Sequence, residues 1–424
     1  MHDTFSGKKC VMSAAKAKNN ASLKSEKINP RIAPIKQTIT IFYAGDLKLN
    51  NIARIAKFVK QEKSKNPCLF IVNSKIFSDE PITTLYRGEV EIAILSSAGI
   101  DAIVLTPDFL RFGIKRAQEL INKGDFFFLG ANLSQAKQSK AFAHEYLIKD
   151  LAKTKLSLLG LLFDSLNTYL TLSGIVRKDP IHKTKRLVPL LRMRSDLVGL
   201  VTTTAETLGL NDIDFVIGAN NLKGISVPVC KKDEILCRLD LFLGDNNRIV
   251  DYQNSVINIT DSISDEIVTT IIKKYQSRTD SILNSKIIEL KREMNIKDLT
   301  DVITQAILAE TKADAVVISN PFVRQAIPKG NLTYQTLFNN LNFTQNLFII
   351  TLSGKEIENL KTSKLSMFLS TKLKKLKIQP SNNYKVVITP EFFATNHDWQ
   401  NKTISLTNET LIAMLSNYLM KGGK

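Results

Sequence analysis

The sequence has few histidines and few cysteines, and each scarcity argues against a class of site. Only four of the 424 residues are histidine and four are cysteine. The cysteines, Cys10, Cys68, Cys230 and Cys237, show no CxxC or Cys/His spacing, so we expect no structural zinc. Cys230 and Cys237 flank a short turn and could pair in an oxidising compartment, but we expect two separate buried thiols.

Long apolar runs and the common catalytic motifs are also missing. No stretch approaches the eighteen or so uncharged apolar residues of a membrane helix, and the N-terminus lacks the apolar block of a secretory signal. We therefore expect no transmembrane segment and no export signal in the chain as written. The absence of GxxxxGK[ST], GxSxG and HExxH leaves a P-loop, an α/β-hydrolase elbow and a zincin without support.

Basic residues are abundant, with a net charge of +18 and a pI near 9.5. This charge predicts attraction to polyanions such as nucleic acid, an anionic membrane surface or an acidic protein. A general bias towards Lys, Asn and Ile would produce the same charge without a partner. The densest basic segments are 176–186 and 371–377, and neither has the interleaved aromatics of a single-strand nucleic-acid surface.

The first 36 residues contain only two acids among many Lys, Ser, Ala and Asn residues. Three interpretations are open: a flexible basic tail, an import presequence, or the remnant of a longer leader that has been cleaved. We favour the tail.

From Gln37 onward, short β-rich runs alternate with stretches of helical periodicity. Examples are the strand TITIFYAG, the helix NNIARIAKFVKQEKSK, the strand CLFIV and the helix TLYRGEVEIAILSSAG. This alternation predicts a layered α/β domain over residues 37–262, closed by a hairpin with GDNN at its turn. Helical spacing without Gly or Pro predicts a connecting helix over 263–294, and a smaller α/β unit follows over 295–424.

Several segments carry a family resemblance, among them TIFYAGDLKLNNIARIAKFV, PITTLYRGEVEIAILSSAGIDAIVL, DIDFVIGANN, VPVCKKDEILCRLDL and ADAVVISNPFVRQAIPKGNLTYQTLFNNLNF. Their order over residues 37–421 resembles that of the bacterial-type 5'-nucleotidases, in which a calcineurin-like metallophosphoesterase domain precedes a nucleotide-binding C-terminal domain. The resemblance implies a four-layer α-β-β-α domain followed by a smaller α/β domain. It bears on ancestry and fold and does not establish activity.

The resemblance also implies a metal centre, from which this sequence departs. The family holds two divalent cations about 3.5–4 Å apart with His, Asp and Asn ligands, and these activate a water for attack on phosphorus. Asp46 keeps an acidic ligand. The other ligand positions carry Lys48, Lys75, Pro107, Thr203, Asn220 and Leu222, and the catalytic His and its orienting Asp become Asp108 and Arg111.

Lys75 stands at the bridging position, where its ammonium cannot coordinate a cation and would repel one. We therefore expect no metal cofactor. In place of the metals, we expect Lys75 to pair with Asp46 or Asp108; the alternative is that Asp46 is a solvated loop carboxylate.

In the second unit, the resemblance implies aromatic rings around a nucleobase, an Asp on the ribose and arginines on the phosphate. Arg324, Phe392 and Asp398 match such positions. The family's glycines are replaced by Pro321, Phe322, Asn396, His397 and Trp399. Bulky residues where the backbone must approach a ligand predict a filled pocket, so we expect nucleotide binding to be lost and the aromatics to pack in a core or an interface.

Three functions compete. The leading hypothesis is a catalytically inactive 5'-nucleotidase-like protein that acts as a structural or interaction subunit of a larger assembly, with Phe109, Phe322 and Trp399 as candidates for a partner interface. The second is a metal-dependent nucleotide phosphohydrolase that holds one Mg²⁺ with Asp46, Asp108 and Asn220. The third is a module that binds nucleic acid or another polyanion. The family is usually exported, so the compartment is left open.

Overall fold

The computed structural model of the chain describes residues 34–423 apart from the gaps 45–46, 48, 74, 136–139, 164–173, 203–206, 209, 222–223, 231–234, 260–262, 318–321, 343, 363–376, 395–398 and 400–401. Structural statements below concern these described residues. The predicted basic tail lies outside them except for residues 34–36.

The first unit alternates strands and helices as expected. Its strands are β1 (Gln37–Ala44), β2 (Cys68–Val72), β3 (Ala102–Val104), β4 (Phe127–Leu129), β5 (Leu133–Gln135), β6 (Tyr146–Leu151), β7 (Thr154–Leu161), β8 (Ile175–Arg177), β9 (Leu197–Thr202), β10 (Thr207–Leu208), β11 (Phe215–Ile217), β12 (Asn220–Asn221), β13 (Ile225–Val227), β14 (Ile235–Leu243) and β15 (Ile249–Asn258). Its helices are α1 (Leu49–Lys63), α2 (Pro81–Tyr86), α3 (Glu89–Ser97), α4 (Ile114–Lys123) and α5 (Pro180–Arg192), with 3-10 turns at Pro107–Leu110 and Asp245–Asn247.

Two sheets pack face to face in this unit, with helices on both outer sides. One sheet has the order β15-β14-β1-β2-β3-β4 and the other β13-β11-β9-β7-β6. Apolar side chains of the two inner faces form one buried cluster, and the helices cover the outer faces through two further clusters. The expected four-layer α-β-β-α arrangement is confirmed, and the predicted hairpin is β14 and β15, paired antiparallel.

The segment predicted as one helix, TLYRGEVEIAILSSAG, is broken in two. Arg87 and Gly88 both have left-handed backbone conformations, with φ of 49° and 81°. A Cβ on Gly88 would lie 2.6 Å from the Phe77 ring, so only glycine fits this break between α2 and α3.

A helix that periodicity did not predict, α5, occupies most of the basic segment 176–186. Asp179 caps it by accepting from the N–H groups of Ile181 and His182, and Pro180 occupies its first turn. None of the described helices is both long and apolar enough to span a bilayer.

The prediction of one connecting helix over residues 263–294 is wrong. Helix α6 (Glu266–Asn284) is capped by Asp265 and ends before strand β16 (Lys286–Leu290). Strand β16 pairs antiparallel with β18 (Gly330–Thr333), a strand of the second unit.

The second unit packs helices on a four-stranded sheet. Its other strands are β17 (Ala315–Val317), β19 (Asn346–Ser353), β20 (Asn383–Ile388) and β21 (Ile404–Thr410), in the order β17-β20-β19-β21. Its helices are α7 (Ile296–Thr311), α8 (Tyr334–Asn340), α9 (Gly354–Thr362), α10 (Pro390–Ala394) and α11 (Leu411–Met420).

The expectation of two separate thiols at Cys230 and Cys237 is wrong. The structure joins them in a disulfide with Cα atoms 6.0 Å apart, which lies within the usual range for such a bond. Cys68 is a free, buried thiol, and burial raises its pKa to about 11. Cys10 lies outside the described residues.

Candidate functional site

The loop after β3 occupies the edge of the sheet where α/β proteins place their chemistry. Strand β3 pairs in parallel with β2 and β4, and the 3-10 turn Pro107–Leu110 follows it. Pro107 opens this turn because its fixed φ suits a helical start. Asp108 and Arg111, the two positions that match the family's catalytic pair, are both buried here.

The Arg111 guanidinium binds this loop to its surroundings. Its Nε donates to Asp108 Oδ1 at 2.7 Å, and Nη2 contacts the same oxygen. Nη1 donates to the Ser78 carbonyl oxygen at 3.0 Å and to Asp79 Oδ1 at 3.1 Å. Gln345 of the second unit donates to the same Asp79 oxygen at 2.8 Å. The network therefore links the two units.

Burial raises the pKa of the Asp108 carboxyl, while Arg111 and, more weakly, Lys75 oppose that rise. The buried Arg111 side chain is 7% exposed, so its charge acts with little screening. Oδ1 of Asp108 is therefore paired with Arg111, a cation of the chain itself.

The remaining predicted metal positions have different outcomes. The ion-pair partner of Asp108 is Arg111. Lys75 is exposed and near enough to lower the Asp108 pKa, and its expected pairing with Asp46 falls on a residue outside the described part of the chain. Asn220 lies in β12, but its side chain is not described. Four positions lie outside the described residues: Asp46, Lys48, Thr203 and Leu222.

The backbone beside these positions is tightly constrained at Gly218, which has φ of 98°. A Cβ there would lie 2.0 Å from the Thr202 carbonyl oxygen. Asn73 Nδ2 donates to this oxygen at 3.1 Å. Within the described chain, Asn73 Oδ1 and Asp108 Oδ2 are buried oxygens without a hydrogen-bond partner.

The described part of this site does not fit a binuclear metal centre. No group of three His, Cys, Asp or Glu side chains among the described residues could hold a metal ion. His144 packs against the Phe127 ring at 5.0 Å, and His182 lies exposed on α5. Arg111 also brings a buried positive charge to the loop, where it would oppose cation binding.

In the second unit, the candidate nucleotide residues are spread between core and surface. Arg324 is exposed, and its Nε donates to Asn342 Oδ1 at 2.7 Å. Phe392 is buried, with its ring centroid 5.6 Å from that of Trp399. Asp398 lies outside the described residues. Phe392 and Trp399 thus contact each other in a core cluster, which favours the packing interpretation.

The proposed interface role of Phe109, Phe322 and Trp399 is wrong for the described chain, because all three side chains are at most 4% exposed. Phe109 stacks on Phe77 with ring centroids 5.4 Å apart. The three aromatic side chains belong to apolar core clusters instead.

Sequence reasoning missed a cleft of about 460 Å³ whose walls come from both units. Arg87, Lys115 and Arg116 line one wall, and residues 405–408 line the other. Burial lowers the pKa of Arg87, and Arg116 pairs with Glu89 and Glu119. Its walls lie far apart along the chain, so no local pattern could have indicated the cleft.

Comparisons with known proteins agree with this architecture. Residues 279–364 match the family model described as the 5'-nucleotidase, C-terminal domain. A comparison with curated protein sequences finds no match.

Solved structures resemble the chain over most of its length. A 5'-nucleotidase precursor from Thermus thermophilus is 14% identical, with a TM-score of 0.56 over 91% of this chain and 97% of that one. The NAD nucleotidase of Haemophilus influenzae is 13% identical, with a TM-score of 0.56 over 91% and 96%. A sulfate thiohydrolase from Thermus thermophilus is 12% identical, with a TM-score of 0.53 over 92% and 95%. The chain therefore has the two-domain 5'-nucleotidase fold, and these low identities bear on fold alone.

Proposed function

We propose that this chain, which has the fold of the 5'-nucleotidases, is a catalytically inactive relative that serves as a structural or interaction subunit. The observation that carries the proposal is the buried contact of Arg111 with Asp108. A guanidinium donates hydrogen bonds and cannot coordinate a cation, and it occupies Oδ1 of the carboxylate that a metal or a proton transfer would need.

The bridging position supports the same conclusion. A carboxylate there would join two cations, whereas Lys75 brings a further positive charge close enough to act on Asp108. Metal-assisted attack on phosphorus needs ligands with lone pairs and a concentrated positive charge at the metal. This chain supplies positive charge from its own side chains and has few histidines to act as ligands or general acids.

The second unit supports a loss of substrate binding. Phe392 and Trp399 are 4% and 3% exposed. Their rings lie tilted against each other, and Trp399 also lies beside Phe393, so neither ring is exposed to a base. Among proteins with this fold, a sulfate thiohydrolase stands beside nucleotidases, and the fold itself therefore fixes no single reaction.

A second candidate is a metal-dependent hydrolase with an atypical site. It is favoured by the two buried oxygens, Asn73 Oδ1 and Asp108 Oδ2, that have no hydrogen-bond partner in the described chain. Amide and carboxylate oxygens suit Mg²⁺ or Mn²⁺.

Metal analysis and a phosphatase assay separate the two candidates. We expect the purified chain to carry no tightly bound Zn, Mn or Mg. When Mn²⁺ is added, we expect it to release no phosphate from AMP, no UMP from UDP-glucose and no p-nitrophenol from bis(p-nitrophenyl) phosphate. The Thermus thermophilus 5'-nucleotidase, assayed in parallel, is the positive control. Bound metal with phosphate release that Asp108→Asn abolishes would establish the hydrolase instead.

The subunit role has its own measurement. Size-exclusion chromatography with light scattering of material from the native source should place the chain in an assembly heavier than its 47.5 kDa. A chain that is strictly monomeric there contradicts this part of the proposal.

A further inference from the structure

The outward side of α5 combines cations with exposed apolar side chains. We call it the α5 face and define it by Lys178, Lys185, Arg186, Leu190, Met193 and Arg194, which are all exposed. Leu190 and Met193 are 50% and 82% exposed. Single exposed leucines and methionines need no explanation. These two, however, stand next to each other at the C-terminal end of one helix.

Helical spacing places these residues together. Arg186 and Leu190 are four apart in the helix, and Met193, the C-cap in a right-handed helical conformation, stands three after Leu190, so these three lie along one side. Lys178 precedes the N-cap Asp179, and Arg194 follows the C-cap. The opposite side of α5 is buried through Leu187, Val188 and Leu191. The α5 face therefore lies on the side of the helix opposite to the residues that pack into the core.

Three acidic groups beside this face are already bound. Glu145 contacts Lys183 and accepts from Arg186 at 3.4 Å. The Asp179 carboxylate accepts hydrogen bonds from the N-terminus of α5, and Asp214 forms an ion pair with Arg192 at 2.7 Å. Lys178, Lys185 and Arg194 therefore leave the α5 face with an excess of positive charge.

We propose that the α5 face docks the chain on the surface of an anionic lipid bilayer. Cations would lie at the headgroups while Leu190 and Met193 enter the headgroup boundary, as in other amphipathic surface helices. Nucleic acid is the poorer fit, since the two exposed apolar side chains of the face would gain nothing against phosphates. The proposal goes beyond the proposed function and does not depend on it.

Co-sedimentation of the full chain with lipid vesicles tests this docking. We expect binding to phosphatidylcholine vesicles that contain about one third phosphatidylglycerol, and little binding to phosphatidylcholine alone. Lys178→Glu/Lys185→Glu should lower the partition constant by about tenfold or more. Leu190→Ser/Met193→Ser should also lower it, although this pair leaves the charge unchanged.

Helix α6 and the residue Ile263 shortly before it supply matched controls. Lys273→Glu/Lys274→Glu makes the same change in net charge at two exposed lysines, and Ile263→Ser/Ile267→Ser removes apolar side chains that are 78% and 65% exposed. Neither control pair should weaken binding. Far-ultraviolet circular dichroism and thermal unfolding of each variant verify that it remains folded.

Four results would overturn the proposal. These are no binding to the anionic vesicles, an equal loss in the α6 charge control, no effect of the Leu190/Met193 pair, and binding to single-stranded or duplex DNA, but not vesicles, that depends on Lys178 and Lys185. The third would mean attraction by charge alone, and the fourth would make the basic face a nucleic-acid surface.

Discussion

The two units close their candidate sites by different interactions. In the first unit, the loop after β3 is filled by a buried ion pair between Arg111 and Asp108, with Asp79 as a further acceptor. In the second unit, the corresponding place is filled by rings, with Trp399 packed against Phe392 and Phe393. Charge fills the first site and apolar volume fills the second.

This difference predicts different responses to mutation. A buried ion pair depends on both partners, since removal of one leaves the other as an unpaired buried charge. A packed ring loses only its own contacts and leaves a cavity. The variants below are ordered from the largest expected effect to the smallest.

Loss of the Arg111 charge should have the largest effect. Arg111→Met leaves Asp108 buried without its cation, and we expect the free energy of unfolding to fall by about 3–5 kcal/mol. The fall should be smaller at low pH, because Asp108 can then stay buried by taking up a proton. Urea unfolding at neutral pH and at low pH measures this fall in the free energy of unfolding. Arg292→Ala removes an ion pair of an 85% exposed arginine and should cost less than about 1 kcal/mol.

The double variant Asp108→Leu/Arg111→Met sharpens this prediction. Replacing both partners by apolar side chains removes the unpaired charge, and such replacements are often neutral or stabilising. We expect most of the stability lost in Arg111→Met to return. A double variant as unstable as the single one would mean that Arg111 stabilises the loop through Ser78 and Asp79 instead.

Glu91 should make stability depend on pH. It is buried in α3, accepts from Thr83, and burial raises its pKa from 4.5 to about 7. The folded state therefore holds this proton more tightly than the unfolded state. Its contribution to stability is intact below about pH 4.5 and is lost as the pH rises through 7, by up to about 3 kcal/mol.

The variant Glu91→Gln should lack that loss. Urea unfolding between about pH 5 and pH 8 should show a steeper decline for the wild type than for this variant. Glu310→Gln, at an exposed position of α7, should decline like the wild type. Equal declines in all three proteins would show that Glu91 does not titrate in this range.

The ring cluster should give a smaller loss that is insensitive to pH. Trp399 is 3% exposed, and Trp399→Leu should cost about 2 kcal/mol through a partly filled cavity. Tyr252→Leu, at a 44% exposed position, should cost less than about 0.5 kcal/mol. If the Trp399→Leu loss varied with pH as strongly as that of Arg111→Met, the contrast between the two sites would fail.

Hydrophobic periodicity was sufficient to predict the main strands of the fold. It failed to predict the helix boundaries, which depend on local backbone conformation. The strands around Phe42 and Phe70 are apolar runs between turn residues, and they formed as expected. The break at Arg87 and Gly88 was missed because it depends on contact with the Phe77 ring. Helix α5 was not predicted because polar and basic residues predominate in its first half and Pro189 lies inside it, which leaves little apolar periodicity.

The sequence was sufficient to predict that the family's metal ligands are missing from the candidate site. It was not sufficient to predict which contacts take their place. Matching to family motifs identified Asp108 and Arg111 as changed positions, and the structure then placed them in contact. The remaining partners, Asp79 and Gln345, come from distant segments. Long-range contacts of polar side chains leave no periodic signal in a sequence, so the pairing of Arg111 with Asp108 was not predicted.

The left-handed backbone at Gly218 and its close approach to Thr202 exclude any side chain there, although no chemistry is assigned to this glycine. A designer who changes side chains near this edge of the sheet would therefore leave Gly218 as it is, because the neighbouring main chain already fills the volume that a new side chain would need.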